Sequence, residues 1–286
     1  MGLTIQIKAG RDVGSSSILA SGSVQHVITD KERSSFGLTD DALKNAVAKY
    51  FGKRPNDAYV KSPTPWDDLY KTYGWPQVQT ILNVSKAQIL EITSNPAILK
   101  TTKLKNDSTK TGYFTANVND SVTNTTDTNW NLTTTVDVSE TVQYSVELEG
   151  IASVGGSTTW SFSESFGVGG SESKSITVGS DQGVSVELGP GESADVQLTV
   201  STGQLKARVF YDVYLIGTTA INYNPTYKGH HFWALDIGAV TQAGDIQNHR
   251  SITEDIKVGY YSNAEVKLSD AGKFAFKALA ARSEAA

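Results

Sequence analysis

The chain has 286 residues, 25 Lys plus Arg against 30 Asp plus Glu, and a formal net charge of −5 at pH 7. That balance disfavours a nucleic-acid partner, and the lack of cysteine excludes disulfides, cysteine zinc sites and thiol nucleophiles. Apolar residues make up only 38%, but 12 Tyr and 5 Trp argue for a folded chain rather than a disordered one.

No apolar run approaches the ~18 residues of a membrane helix. The start, MGLTIQIKAGRDVGSS, has no basic segment followed by an apolar one, so no signal peptide is readable. A soluble monomer acting extracellularly on target membranes, by an open export route, is the expectation. The segment TDDALKNAVAKYFG (39–52) predicts a helix. Ala42, Leu43, Ala46, Val47, Tyr50 and Phe51 recur at helical spacing, Thr39 or Asp40 caps the start, and Gly52 ends it. TPWDDLYKTYG (64–74) predicts a second, with Thr64 as cap, Pro65 in the first turn and Gly74 as stop.

From QVQTILNVSKAQILEITS (77–94) onward the texture turns to strand, rich in Val, Ile and Thr. No proline occurs between Pro96 and Pro190. Between Thr111 and Ser173 there is no Lys or Arg, yet eight acids remain. A Ser/Thr-rich run also suits a disordered stalk, but regularly placed Val, Tyr, Phe and Trp favour long strands. SADVQLTVSTG (193–203) and LKARVFYDVYLIG (205–217) continue the pattern. An aromatic loop, INYNPTYKGHHFWALDIG (221–238), is expected next, then strands at 251–261 and 263–270. The Ala-rich tail 271–286 reads as helical or frayed.

Residues 136–170, VDVSETVQYSVELEGIASVGGSTTWSFSESFGVGG, alternate throughout. Val142, Tyr144, Val146, Leu148, Trp160 and Phe162 share one face; Ser, Thr, Gln, Asp and Glu fill the other. A turn near Ala152 would set Val142 against Phe162, Tyr144 against Trp160 and Glu140 against Glu164. Any register of that parity keeps apolar against apolar. An amphipathic hairpin is commonly half of a sandwich. Three features point beyond that: strands longer than the usual ~5–6 residues, a polar face without a basic residue, and Trp160 with Tyr144, which resemble an aromatic belt as much as a core pair. The length from Glu140 to the tip matches the ~9–11 residues of a membrane-crossing strand. Burying the six apolar side chains in lipid would yield roughly 10 kcal/mol. A lone ribbon would leave its backbone edges unpaired in hydrocarbon, so several hairpins must close into a barrel. Asp137, Glu147 and Glu149 would then line the lumen and favour cations. Aspartate at Val146 and Trp160 is expected to block permeabilisation while leaving the monomer folded.

The approach NDSVTNTTDTNWNLTTT (119–135), this hairpin and the exit VSVELGPGESADVQLTV (184–200) resemble the aerolysin superfamily of β-pore-forming proteins, specifically its epsilon-toxin and mosquitocidal-toxin branch. The resemblance runs from about Ile92 to Val209. It departs at the exit turn, where Gly189-Pro190-Gly191 stands in place of the family's frequent Pro-Pro. It implies a mainly β, elongated antiparallel protein with a small α/β head and a tucked pre-stem hairpin. Residues 1–91, joined by 215–250, would form the receptor-binding head. Residues 92–214 would form the pore module, 251–270 returning strands, and 271–286 a removable tail with Lys273, Lys277 and Arg282 as cleavage sites. The monomer would bind a glycan, lipid or protein receptor and assemble about seven or eight copies. It would act as a cytolytic toxin, with insects among the candidate targets.

Trp66, Tyr70, Tyr73 and Trp75, with Tyr223, Tyr227, Phe232 and Trp233, are the candidate receptor residues; a plain aromatic core is the alternative. No nucleophile elbow or phosphate loop is present, and the four His residues have no triad context. No enzyme activity, cofactor or metal is therefore expected. A non-lytic lectin-like or storage protein on the same scaffold is the competing reading.

Overall fold

Leu3, Ile5, Ile7 and Ala9 alternate with polar residues, and that period of two makes the first strand of the computed structural model, β1 (Leu3–Ala9). The structure describes residues 2–10, 12–131, 138–149 and 157–270; side chains at 149, 157, 179–182 and 269–270 are not described. The chain continues through β2 (Ser17–Ser21), β3 (Ser23–Val27), α1 (Asp30–Ser35), α2 (Asp40–Phe51), β4 (Asp57–Tyr59) and α3 (Pro65–Tyr73). Long strands follow: β5 (Gln79–Lys105), β6 (Gly112–Asn131), the hairpin β7 (Thr141–Glu149) and β8 (Ser157–Ser165), β9 (Gly170–Leu188) and β10 (Ser193–Ile216). The chain closes with β11 (Thr218–Tyr227), β12 (His230–Asp236), α4 (Ile237–Ala243) and β13 (His249–Asp270).

Helix α2 forms where the spacing predicts it. The Thr39 hydroxyl takes the Ala42 N–H, and Gly52 ends the helix in the left-handed region. Its buried stripe, Leu43, Ala46 and Val47, meets α4 so closely that a Cβ on Gly244 would run into Ala46. Helix α3 departs from its expected form. The Thr64 hydroxyl takes the Leu69 N–H instead of capping the first turn, and Trp66, Asp67 and Asp68 all have positive φ, at 62, 56 and 62°. Aspartate tolerates that region; tryptophan is strained there by about 1–2 kcal/mol. The segment expected to be an aromatic loop is instead the β11–β12 hairpin, paired from Thr218↔Asp236 to Asn222↔Phe232.

The described residues form three sheets: β2-β1-β7-β8, β3-β5-β10-β13-β6-β9, and β12-β11-β4. Among the described residues all pairings are antiparallel except β1 with β7, which run parallel from Leu3↔Val142 to Ala9↔Leu148. The six-stranded sheet turns one face, carrying Leu205, Val209, Tyr211, Ile256 and Val258, into the main core. The four-stranded sheet covers that face with Leu3, Ile5, Ile7, Val142, Tyr144 and Val146. At ~1.5–3 kcal/mol per buried side chain, this seam is a main stabilising contact of the molecule. Tyr260 fastens it at one end: its hydroxyl donates to the Gly10 carbonyl at 2.8 Å, and its ring lies where a Cβ on Gly203 would stand.

Candidate pre-stem hairpin and head surface

The four inward residues of β7, Val142, Tyr144, Val146 and Leu148, are all buried, with Val146 at 0% exposure. The face of β8 that meets them is half-buried at Trp160 and Phe162. The Phe162 ring stacks on Tyr144 with 4.7 Å between centroids and 6° between planes. The parity expected from the sequence holds, but the register is shifted. Val142 pairs with Glu164, Tyr144 with Phe162 and Val146 with Trp160. Glu140 therefore does not face Glu164; its carbonyl accepts the Phe166 N–H. A slide of two residues leaves every side chain on its own face, so alternation alone does not choose between the two registers. The expected turn near Ala152 lies outside the described residues, as does Asp137. Glu147 is half-buried on the hydroxylated face beside Ser145. Glu149 is paired in β7, but its side chain is not described.

Beside its apolar contacts the hairpin meets buried polar groups of the body. Glu254 on β13 is fully buried, and its two carboxyl oxygens accept the hydroxyls of Tyr144 at 2.6 Å and Tyr211 at 2.7 Å. Burial pushes this carboxyl up to about 7; the two tyrosine hydroxyls oppose the rise, and the charges of Glu164 and Asp255 add to it. Burial first, then the Glu254 charge, drives both phenols far above their ordinary value. On β6, Asn124, Thr126 and Thr128 are buried on one face, and the Thr128 hydroxyl donates to Glu164 of the hairpin. Among the described residues, Thr126 Oγ1, Asn124 Nδ2 and the indole nitrogens of Trp130 and Trp160 are buried without a hydrogen-bond partner. At the hairpin root, Trp130, Phe166 and Tyr211 pack with centroids 4.6–5.2 Å apart. Here too His26 Nε2 lies 2.7 Å from buried Glu32, and its Nδ1 lies 3.7 Å from Glu140.

Sequence reasoning passed over Glu254 and Tyr211. The signal was present: in SITEDIKVGYY, Glu254 occupies the same phase as Ile252, Ile256 and Val258. An acid in the inward phase of a strand is a buried acid.

The head divides the eight aromatic candidates into two groups. Trp66 and Tyr73 are 43% and 50% exposed, and with Trp75, Phe232 and Tyr59 they make one patch. Tyr73 stacks on Trp75 at 4.6 Å and Trp66 leans on Phe232 at 5.1 Å. Tyr70 does not belong to this surface: it is buried, and its hydroxyl donates to the Tyr59 carbonyl at 2.7 Å. The second group surrounds Phe51, with Tyr227 and Trp233 at 5.5 and 5.0 Å. Tyr223, also buried, donates to the Lys53 carbonyl at 2.6 Å, and burial pushes its phenol up to about 12. Lys228 sits over the Phe51 ring at 4.1 Å. Tyr70 and Tyr223 therefore hold the head together and present nothing to a partner. His231 is bound to the Tyr223 carbonyl, and among the described residues no group of His, Asp and Glu has the arrangement of a metal site. No described helix is long and apolar enough to cross a membrane, which leaves crossing by strands open. Lys273, Lys277 and Arg282 lie outside the described residues.

The long curled sheets, the tucked amphipathic hairpin and the small helical head define an aerolysin-like fold. Parasporin-2, a Bacillus thuringiensis toxin that recognizes cancer cells, is similar over 87% of this chain and 98% of its own, with a TM-score of 0.61 and 16% identity. A non-toxic crystal protein from the same species is similar over 80% of this chain and 94% of its own, with a TM-score of 0.50 and 12% identity. No family model matches the sequence. U-megalopygitoxin(8)-Mo12 of Megalopyge opercularis is 34% identical over 245 residues, covering 85% of this chain and 83% of that protein. U-megalopygitoxin(8)-Mc8 of Megalopyge crispata matches equally well over the same shares. The chain belongs to this megalopygitoxin family of toxins.

Proposed function

We propose that this protein is a β-barrel pore-former. It binds a target-cell surface through its head, assembles into a ring of about seven or eight copies and inserts β7–β8 into the membrane. One observation carries the reading. The hairpin gathers Val142, Tyr144, Val146, Leu148, Trp160 and Phe162 on one face, and beside its apolar contacts it is fastened to the body by side-chain hydrogen bonds at two buried polar points, Tyr144 to Glu254 and Thr128 to Glu164. Hydrocarbon would bury the same six side chains again. The hydroxylated opposite face, with Glu147 and, by phase, Glu149, suits a water-filled, cation-preferring lumen. No catalytic role is proposed. The receptor surface is the patch of Trp66, Tyr73, Trp75 and Phe232, where a strained Trp66 backbone holds a large ring in water. A glycan, a lipid surface or a protein would each fit such a patch. Removal of the tail at Lys273, Lys277 or Arg282 is the proposed activation step.

A reversible staple tests the core of this reading. Gln6 and Ser145 are direct partners across β1 and β7, and the chain has no cysteine of its own. In Gln6→Cys/Ser145→Cys, oxidation should abolish single-channel steps in a planar lipid bilayer, and reduction should restore them, before or after light trypsin treatment. An oxidised protein that conducts like wild type would show that this hairpin stays in place. Silence of folded wild type on receptor-bearing cells as well as on bilayers would favour the non-lytic binding protein, a reading that the non-toxic fold neighbour keeps in play.

A further inference from the structure

Among the described residues, Glu254 is the one buried acid that ties the hairpin to the body through side chains on both. Its carboxyl oxygens lie 2.6 Å from a hydroxyl on β7 and 2.7 Å from one on β10. We propose that Glu254 is a pH-sensitive catch on the hairpin, holding β7–β8 tucked when its carboxyl is protonated and loosening it when ionised. The proposal rests on the hairpin being the part that leaves, as argued above.

The surroundings set the direction. From β7 and β10 the carboxyl meets only the two phenols, which stay neutral far into the alkaline range. From β8 it feels the negative charge of Glu164, which the Thr128 hydroxyl of β6 holds in place. Its β6 partner in register is Trp130, which carries no charge. On β13 itself, Asp255 adds negative charge but turns to Arg208, in a two-pronged pair at 2.5 and 2.8 Å. The groups acting on Glu254 thus supply hydrogen bonds and negative charge, and a buried carboxylate in that setting is costly. The two donating phenols favour the charged carboxyl, but burial and the neighbouring negative charge outweigh them, so the tucked carboxyl holds its proton above the ordinary range.

Tucked, the carboxyl stands at about 7; uncovered by the hairpin's departure it returns toward the ordinary 4.5. The tucked form therefore binds the proton more tightly. Its advantage is complete below 4.5 and shrinks as pH rises through 7. The same interval corresponds to roughly a 300-fold fall in the tucked-to-open ratio, of which about 30-fold falls between pH 5.5 and 8.5. Acid keeps the hairpin home, and neutral to alkaline surroundings release it.

Amide hydrogen exchange on the full-length monomer, without lipid and corrected for intrinsic rates, reads the catch directly. Wild type should lose about 30-fold protection in peptides spanning 141–165 between pH 5.5 and 8.5, while β10 peptides stay within about 2-fold. Glu254→Gln should stay flat at the wild-type acid level. A flat wild type, or a Glu254→Gln protein with the wild-type slope, overturns the proposal. If β10 peptides show that Glu254→Gln has not folded, carbon NMR titration of the glutamate carboxyls of wild type decides. One carboxyl titrating near neutral pH, and moving upward in Tyr211→Phe, supports the catch; all titrating in the ordinary range refutes it. Because these readings need no membrane, a null channel recording would sink the pore and leave the catch standing, and the reverse holds as well.

Discussion

The β7–β8 and β11–β12 hairpins are both aromatic-rich and both pack against the body, but they are fastened by different chemistry. The head hairpin is held by phenols that donate to main-chain carbonyls: Tyr70 to Thr218, Tyr223 to Lys53, and Tyr227 to Phe51. The pre-stem hairpin is held by hydroxyls that donate to carboxylates: Tyr144 to Glu254, and Thr128 to Glu164. A carbonyl keeps its acceptor at every pH, whereas a carboxylate changes charge. One hairpin is bolted down and the other is held by a fastening that solution conditions reach.

The largest expected effect tests how deeply the pre-stem is seated. Val146→Asp places an unpaired charge at a fully buried site and should cost about 3–5 kcal/mol in urea denaturation. A loss below about 1 kcal/mol would mean that the seam is loose. The sequence suggests that aspartate at Val146 would spare the monomer; burial of Val146 says otherwise. Trp160, half-buried, is the better lipid probe. Trp160→Asp should cost only about 1–2 kcal/mol of stability while reducing channel activity at least about 100-fold.

Next is Tyr211→Phe, which removes one donor from Glu254. Its cost should be about 2–3 kcal/mol at pH 8.5, where the lost bond is charge-assisted, and about 1 kcal/mol at pH 5.5. The stability of wild type should itself fall as pH rises from 4.5 toward 7, because the folded-state carboxyl holds its proton above the ordinary value. Tyr223→Phe should cost about 1 kcal/mol at both pH values, since its acceptor does not titrate. Equal pH profiles for the two tyrosine variants would erase the contrast between the hairpins. The smallest expected effect is Trp66→Gly. Relief of the left-handed backbone should offset lost ring contacts, leaving stability within about 1 kcal/mol, while cell-surface binding drops at least tenfold. Unchanged binding would move the receptor surface elsewhere.

Much of this was legible in the chain because burial in long strands writes itself as alternation. Val142 to Leu148 announced a hairpin face, and Thr39 and Gly52 announced a helix. What stayed hidden depends on contacts distant in sequence. Nothing local to LTIQIKA says that it will run parallel beside residues 142–148. The paired register needed a turn that several glycines, Gly150, Gly155 and Gly156, serve equally well. The β11–β12 hairpin reads as a loop in the sequence because Asn224, Pro225 and the adjacent histidines mask a pattern that cross-strand packing restores. Helix α3 hid its left-handed start because Thr64-Pro65 reads as a cap whether or not the hydroxyl performs that role. Among the receptor candidates, aromatic identity alone did not separate buried Tyr70 and Tyr223 from exposed Trp66 and Tyr73.

The Tyr260 bond to Gly10 has a consequence for what remains after release. It ties the end of β1 to β13 through a phenol and a carbonyl, neither of which titrates near neutral pH, so β1 is expected to stay when β7 goes. Its vacated side would then offer a row of unpaired amides and carbonyls, a fresh sheet edge that accepts any strand of suitable length. Premature opening in solution, away from a membrane, should therefore lead to aggregation by edge-to-edge pairing.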